Sequence, residues 1–597
     1  MARNRYDTDE TLEDKFDTGQ LKRLLNYIAP HKKQMIKVII IMLTSSAMTM
    51  LIPLLMQRVM DIYIPEGNMR KIAMAGMTTG VIAILWALSQ RIKIGITSKV
   101  GQSIIHTLRS DIFAHLQELP FSYYDERPHG KIQVRVVNYV NSLSDLLSNG
   151  IVNTITDLCN LFFIMIFMFL CDVRLTLVCL CGLPVLAALL LFLKKRQRLA
   201  WQIQSNKQSN LNAYIAESIN GIRVTQAFVR ERKNTSIFNE LSEEYRVSWM
   251  KAVVMNFSIA PGVEVVSVVT TAFVYVLGVS RILAPSTTLT VGVLIAFTSY
   301  IGRFWSPINT LANFYNSLLT AISYLERIFE TIDEPVLIKD EPDASVMPKI
   351  TGVVKFEDVC FGYEDNQLIL DHINFTAEQG KTYAIVGPTG AGKTTIVNLI
   401  SRFYNVNSGK VLIDGVDISK VTLHSLRTQL GIMMQDNFIF TGTIMDNIRY
   451  GNNEVSDEAV IIAAKTVCAH EFIMELENGY HTEVNERGNR LSVGQRQLVA
   501  FARTLLANPK ILILDEATSS IDTETELLLQ TGLNRMLEGR TSFIIAHRLS
   551  TIKNADCIMY VDKGAIVEKG THEELLEERG EYYKLYISQF KFLDGRY

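Results

Sequence analysis

Six long apolar runs dominate the N-terminal half of the chain. They occupy residues 36–56, 72–90, 151–170, 175–193, 259–279 and 291–312. A helix of about 20 apolar residues matches the thickness of a bilayer core. Buried helices of a large soluble core are the alternative, and runs such as LFFIMIFMFL and LTLVCLCGLPVLAALLLFL disfavour it. The pattern therefore predicts six membrane-spanning helices.

The links between these runs alternate between long and short. Residues 91–150 and 194–258 form long, polar links rich in Lys and Arg, and LKKRQR directly follows the fourth run. Because Lys and Arg favour the cytoplasmic side, we expect the long links there. We expect the N-terminus on the same side, because its polar, acidic start has no signal-peptide core. The segment QLKRLLNYIAPHKK gathers its leucines and Ile28 on one face, which predicts a helix in the inner interface.

The composition changes after the sixth run. A Pro- and Asp-containing linker is followed by strand-like runs such as TYAIVG, ILILDEA and TSFIIAH, which alternate with helical patterns. That alternation is typical of an α/β domain with a largely parallel sheet. The predicted multi-domain fold has a tail and interfacial helix (1–34), an all-α six-helix transmembrane domain (35–325), a linker (326–352) and an α/β P-loop domain (353–590).

The segment GPTGAGKTT gives the clearest indication of a chemical function, which is phosphate binding. It follows an apolar strand and opens a helix, so its glycine loop can turn backbone N–H groups toward phosphates. Lys393 adds a positive charge toward the outer phosphates, and the Thr394 hydroxyl can bind Mg²⁺. The predicted nucleotide-binding residues of this loop are Gly387, Thr389, Gly390, Ala391, Gly392, Lys393, Thr394 and Thr395.

A second motif, ILILDE, ends in two acidic residues and adds candidate catalytic groups to those of the glycine loop. Its buried strand delivers Asp515 and Glu516 to the end of a sheet where such folds bind ligands. We assign Asp515 to Mg²⁺ and Glu516 to orienting the attacking water. A strand that merely ends in solvated acids is the alternative for this motif alone, and the P-loop in the same domain disfavours it.

Net charge and cysteine spacing argue against a nucleic-acid-binding protein and against a zinc site. The formal charge is −2, which does not predict a nucleic-acid-binding surface. The seven cysteines show no paired zinc spacing, so we interpret them as reduced core or membrane residues.

The order of these motifs resembles the half-transporters of the ATP-binding-cassette (ABC) exporters, over residues 21–590. The resemblance implies ATP with Mg²⁺ as cofactors and assigns four further residues. Tyr363 would stack on adenine, and Gln435 would touch both Mg²⁺ and nucleotide. His547 would contact the γ-phosphate as a catalytic switch, and Asp522 would lie at a dimer seam. Each residue alone also fits an ordinary structural role, so the assignment depends on the whole set.

The segment RLSVGQRQ begins a second helix that is suited to an anion, because Ser492 and Gly494 are small. By resemblance, Ser492, Gly494 and Gln495 would grip a γ-phosphate held by the P-loop of a second half-transporter. The family's usual signature has two adjacent glycines. At these two positions this chain has Val493 and Gly494. Valine is stiff and cannot take the positive φ open to glycine.

An altered signature beside an intact Glu516 resembles one half of the heterodimeric bacterial exporters. We therefore predict a heterodimer whose other half has an intact signature and a replaced Walker B acid. A homodimer that tolerates the valine is the alternative.

Two parts of the long links, GKIQVRVVNYVNSL and ESINGIRVTQAFVRE, resemble the coupling helices of the family. NERG, just before the signature, resembles the loop that contacts them. We expect closure of an ATP-bound seam to move the helix bundles and open a cavity outward.

The predicted function is ATP-driven, multidrug-type export of small amphipathic molecules across the cytoplasmic membrane. A lipid flippase, a peptide exporter or an importer on the same fold are alternatives, as is an ATP-binding regulator that does not pump. Glu264 and Arg303 are ionisable groups in apolar runs, either substrate contacts or packing pairs. The aromatic side chains of the sixth run (Phe297, Tyr300, Phe304 and Trp305) fit either amphipathic substrates or ordinary packing.

Overall fold

The computed structural model describes residues 18–590, except 128, 146–149, 285–288, 364–366, 435–436, 486–487, 489, 516–522 and 547–548. The chain divides into two compact units. The helical unit comprises the residues up to Gln117 together with Pro128–Glu334. The α/β unit comprises Glu118–Arg127 and the chain from Pro335 onward.

Helices account for nearly all of the chain up to residue 334. Their bounds are α1 (Thr18–Ile28), α2 (Lys32–Arg58), α3 (Met69–Glu118), α4 (Phe121–Glu126), α5 (His129–Val134), α6 (Val140–Asp145), α7 (Ile151–Cys171), α8 (Val173–Leu180), α9 (Gly182–Asn220), α10 (Ile222–Ala227), α11 (Glu231–Phe257), α12 (Ile259–Ile282) and α13 (Val291–Ile332). Among the described residues, six segments are long and apolar enough to cross a membrane. The prediction of six spans is confirmed.

Several of these helices are much longer than a bilayer is thick. α3 has 50 residues, α9 has 39 and α13 has 42. At 1.5 Å per residue, α3 extends about 75 Å, whereas a bilayer core is about 30 Å thick. The long links therefore continue as helices well beyond the apolar runs.

α2 contains Pro53, whose ring nitrogen cannot donate to the carbonyl of Thr49. The Arg303 guanidinium of α13 donates to that carbonyl at 3.1 Å. One residue on, the Tyr300 hydroxyl donates to the Met50 carbonyl at 2.7 Å. Arg303 thus fastens α13 to the proline-interrupted part of α2, while Glu264 lies on an exposed face of α12.

Carboxylates fasten two other span ends. Asp61 accepts hydrogen bonds from the Thr290 hydroxyl at 2.5 Å and from the Gly292 N–H at 2.9 Å, in the first turn of α13. A Cβ on Gly292 would lie 2.6 Å from this carboxylate, so the contact requires a glycine. Asp172 caps α8 and pairs with Arg281 of α12 at 2.8 Å.

The α/β unit is built on a six-stranded sheet and a four-stranded sheet. The strands are β1 (Val354–Phe361), β2 (Leu370–Ala377), β3 (Thr382–Val386), β4 (Ser408–Ile413), β5 (Val416–Asp417), β6 (Leu430–Met433), β7 (Gly442–Thr443), β8 (Glu483–Val484), β9 (Ile511–Asp515), β10 (Thr541–Ile545), β11 (Cys557–Asp562) and β12 (Ala565–Gly570). The larger sheet has the order β12-β11-β3-β10-β9-β6 and is parallel except at β12. The smaller, antiparallel sheet has the order β2-β1-β4-β5.

Apolar side chains cover both faces of the larger sheet, as the continuous hydrophobic runs of its strands predict. Ala384 and Val386 of β3 belong to one apolar cluster, and Tyr383 and Ile385 belong to the other. The helices of this unit are α14 (Lys393–Ile400), α15 (Leu423–Arg427), α16 (Ile444–Arg449), α17 (Asp457–Thr466), α18 (His470–Glu475), α19 (Val493–Leu506), α20 (Thr523–Leu537), α21 (Leu549–Lys553), α22 (His572–Glu578) and α23 (Glu581–Phe590).

The segment Glu118–Arg127 belongs to the α/β unit although the helical unit flanks it in sequence. The Phe121 ring lies 4.5 Å from the Phe403 ring, and the Tyr404 hydroxyl donates to Asp125 at 3.0 Å. The prediction that residues 130–143 form a coupling helix is therefore wrong. That stretch packs within the helical unit, where Tyr139 stacks on Tyr324 of α13 at 4.8 Å.

Asp414, in the turn between β4 and β5, organises the entry to β1. Its carboxylate accepts hydrogen bonds from the backbone N–H groups of Thr351, Gly352 and Val353 at 2.6, 3.1 and 2.8 Å. Partial burial works to raise the pKa of Asp414, but these hydrogen bonds outweigh it and hold the pKa below its ordinary value. The ionised carboxylate therefore stabilises the fold.

We expect Asp414→Ala to destabilise the start of β1 by about 2–4 kcal/mol at pH 7, since three backbone donors lose a charged acceptor. Hydrogen exchange of the amides of residues 351–354, corrected for intrinsic rates, measures this loss. The stabilisation is present above the ordinary Asp pKa of about 4 and is lost as the pH falls through the lowered pKa. Below that value the variant and the parent should converge. Asp343→Asn, at an exposed loop position, is the control, and equal protection in Asp414→Ala and the parent at pH 7 would contradict the assignment.

Candidate functional site

The glycine loop lies at the end of the inner strand β3 and leads directly into α14. Gly387 has φ +144°, and a Cβ there would lie 2.0 Å from the Val561 carbonyl oxygen. Gly392 has φ +105°, and its Cβ would lie 2.6 Å from the Leu370 side chain. Both positions require glycine, and their backbone shape presents the N-terminus of α14 to an anion.

Lys393 is folded over this loop. Its ammonium donates to the carbonyl oxygens of Gly387 and Pro388, both at 2.8 Å. Burial lowers the pKa of Lys393, and the negative charge of Asp515 opposes that effect. The loop therefore holds the Lys393 ammonium next to the positive end of the α14 dipole. The negative charge of a phosphate would be stabilised there.

An aromatic surface lies beside α14. Tyr363 is 50% exposed and is held edge-on by Phe361 and Tyr404, with ring centroids 5.0 and 5.1 Å apart. Its hydroxyl lies 3.1 Å from the hydroxyl of Thr395, while the neighbouring Thr394 is exposed. The structure thus brings the predicted adenine-stacking ring to the same helix as the predicted phosphate loop.

Asp515 ends β9, two strands away from the loop. It is in register with Ile545 of β10, which is in register with Ile385 of β3. With strands about 4.8 Å apart, the two strand ends lie about 10 Å from one another. That spacing leaves room for a nucleotide's outer phosphates and a cation, and the exposed Thr394 hydroxyl and the Asp515 carboxylate are donors that suit Mg²⁺.

Four predicted site residues lie outside the described residues: Gln435, Glu516, Asp522 and His547. Their roles stay predictions. The chain positions of two of them follow from described neighbours, because Glu516 directly follows Asp515 and His547 follows β10 by two residues.

The signature segment begins α19. Ser492 is the N-cap, where its hydroxyl accepts from the Gln495 N–H at 3.1 Å. The Gln495 side chain in turn accepts from the Ser492 N–H at 2.9 Å, which completes a capping box. Ser492 is exposed and Gly494 is buried, so the Ser492 side chain is on the solvent side of this helix start.

Val493 is the first residue of α19, and among the described residues neither it nor Gly494 has a positive φ. Valine therefore loses no positive φ at this position, and the prediction that it would is wrong for this conformation. The difference from glycine is steric, since the Val493 side chain is 46% exposed at the start of the helix. An isopropyl group stands where a glycine would leave the N-terminus open.

Comparison with known proteins covers both parts of the chain. The family model of the ABC transporter transmembrane region matches residues 35–308, and the family model described as ABC transporter matches residues 370–519. The uncharacterized ABC transporter ATP-binding protein YknV of Bacillus subtilis is 42% identical over 592 residues, covering 99% of this chain and 98% of the relative. The putative multidrug export protein YgaD of the same organism is 34% identical, covering 96% and 99%.

Two further similarities extend this set. A fatty acid ABC transporter ATP-binding/permease protein of Mycobacterium tuberculosis is 36% identical, covering 84% of this chain and 78% of the relative. The solved structure of a bacterial Atm1-family ABC exporter with ATP bound aligns with a TM-score of 0.79 at 28% identity, covering 94% of this chain and 98% of that one.

We expect Lys393→Ala to weaken ATP binding by about 10- to 100-fold, because it removes charge-assisted hydrogen bonds to phosphate oxygens. Equilibrium binding of labelled ATP measures the change. Lys381→Ala is the matched control, because Lys381 is an exposed lysine just before β3 that pairs with Glu378. Unchanged ATP affinity in Lys393→Ala would rule out the phosphate-binding role.

Proposed function

This chain belongs to the ABC exporters, which are ATPases coupled to transport, and we propose that it is one half of a dimeric pump that exports small amphipathic molecules across the cytoplasmic membrane. The observation that carries the proposal is a P-loop at the inner strand β3 in a chain that also contains six candidate spans. The relatives support an amphipathic substrate, since one is named for multidrug export and another for fatty acids.

The ATP site of this proposal is assembled from two chains. Gly387–Lys393 hold the phosphates of one nucleotide, and Tyr363 stacks on its adenine. Mg²⁺ bound by Thr394, Gln435 and Asp515 would neutralise phosphate charge. The exposed Ser492 hydroxyl and the start of α19 then close over the nucleotide of the other chain. ATP draws the two halves together because it has differential affinity for the closed state.

We assign two surfaces to transmitting the ATP-driven closure of the dimer to the membrane domain. Within this chain, Glu118–Arg127 moves with the α/β unit, to which it belongs. The tip that follows α10 exposes Phe228 (72%) and Val229 (80%) on the helical unit. In the dimer we assign this apolar tip to the α/β unit of the partner, which would bury it.

We propose a heterodimer as the working form. The exposed Val493 side chain crowds the start of α19, so this chain offers its partner a weaker grip on ATP. Its own phosphate loop, Asp515 and Glu516 are intact. A partner with an intact signature would therefore complete one fully active site around this chain's P-loop.

ATP-dependent accumulation of amphipathic dyes in inside-out vesicles tests the proposed export. We expect Glu516→Gln to keep ATP affinity within about twofold while losing at least about 100-fold in hydrolysis and all accumulation, because the attacking water loses its orienting carboxylate. Glu524→Gln, in the first turn of α20, is the control. Near-normal turnover of Glu516→Gln would remove Glu516 from the catalytic role.

We expect the chain expressed alone to hydrolyse ATP at no more than about one tenth of the rate of the pair formed with its partner half, since a tenfold loss corresponds to about 1.4 kcal/mol. Val493→Gly should raise the activity of the chain alone several-fold by uncovering the helix N-terminus. Val493→Ile keeps a branched side chain and should not. A fully active homodimer of the parent chain would refute the heterodimer.

A further inference from the structure

The helical unit contains a cavity of about 460 Å³ lined by residues of α2, α3, α7 and α13. Apolar side chains such as Met42, Trp86 and Ile164 form part of its wall. Three ionisable side chains, Lys93, Asp157 and Arg303, also line it. Charges inside apolar spans are costly unless they meet a partner or a ligand, so the partner of each decides its meaning.

Two of these charges are engaged by the protein. Arg303 donates to the Thr49 carbonyl freed by Pro53. Asp157 lies among the polar side chains of Thr310 and Asn160, which stabilise its negative charge. The hydrogen bond gives Arg303 a structural role, and the polar neighbours of Asp157 stabilise its charge.

Lys93 is different. Its side chain is buried, with 8% of the residue exposed, and in the part of the chain that the structure describes no acceptor forms a hydrogen bond with its ammonium. Asp157 attracts it electrostatically without forming an ion pair. The lining therefore carries two cations and one carboxylate, and the excess positive charge has three unused N–H donors. An anion in the cavity would stabilise the charge of this ammonium, because it stands on a largely buried side chain without an ion-pair partner.

The position of Lys93 along α3 gives its depth. It lies 24 residues from the start of the helix at Met69, about 36 Å along the axis, whereas the bilayer core is about 30 Å thick. Lys93 is therefore near headgroup level, on the side of the long polar link. Arg303 lies 12 residues into α13, about 18 Å along the axis and near the centre of the span.

We propose that this cavity binds a monoanionic amphiphile, with a carboxylate or phosphate headgroup on the Lys93 ammonium and an apolar tail along Trp86 and Ile164. The proposal rests on the proposed export function and names the substrate class of that function. A single negative charge neutralises the excess positive charge of the lining. The tail then occupies the apolar wall toward the membrane centre.

The test uses the complete dimeric transporter in phosphatidylcholine nanodiscs without nucleotide. Fluorescence titration compares four pyrene-labelled probes: dodecanoate, its methyl ester, the singly charged phosphodiester dodecyl methyl phosphate and a dodecyl trimethylammonium. We expect dodecanoate or dodecyl methyl phosphate to bind at least about tenfold more tightly than the ester, a difference of about 1.4 kcal/mol, and the cation more weakly than the ester. The two anionic probes tell a carboxylate from a phosphate headgroup.

Three variants separate charge from structure. Lys93→Met should remove the preference for the anion over the ester while leaving ester affinity unchanged, and Lys93→Arg should keep the preference. Lys99→Met, at an exposed lysine six residues on in α3, is the matched control. Unchanged ester binding shows that a variant is folded, and Lys93→Gln replaces Lys93→Met if the latter does not fold.

Equal affinity of the parent for both anionic probes and the ester, or an unchanged preference in a folded Lys93 variant, would overturn the proposal. Failure of the export function is a separate result. It would appear as no ATP-driven accumulation of any amphiphile in vesicles, while the binding preference stays measurable.

Discussion

The absence of a side chain at Gly387 is the constraint on which the proposed phosphate site depends. A side chain at Gly387 would collide with the Val561 carbonyl of the neighbouring strand. The loop can therefore turn only where glycine allows it, directly above the inner strand of a buried parallel sheet. Lys393 folds over that turn, while β1 and β9 bring Tyr363 and Asp515 to the same end of the unit.

The membrane half follows a related rule, since backbone groups in lipid also need partners. Pro53 leaves a carbonyl without its helical donor, and Arg303 from another span supplies one. A charged residue that the sequence offers as a substrate contact or a packing pair thus has a defined structural contact. Lys93 also lines the cavity, has no hydrogen-bond acceptor among the described residues, and is the charge on which the proposed ligand site depends.

The sequence predicted the features whose signals are local. Six spans follow from apolar length, and the phosphate loop follows from a motif between a strand and a helix. Features that depend on tertiary placement were missed. Lys93 lies three residues beyond the predicted end of the second run, and Asp157 lies inside the third run, where its charge was the available signal. The association of Glu118–Arg127 with the α/β unit depends on Phe403 and Tyr404, nearly 280 residues away.

That association changes what counts as a domain of this protein. A fragment starting near residue 353 includes the whole of both sheets but leaves out Phe121 and Asp125. Its Phe403 ring and Tyr404 hydroxyl would face solvent, beside the tyrosine that borders the nucleotide site. Any such fragment would carry an uncovered aromatic patch, so its solubility and its ATP affinity would reflect the cut as well as the enzyme.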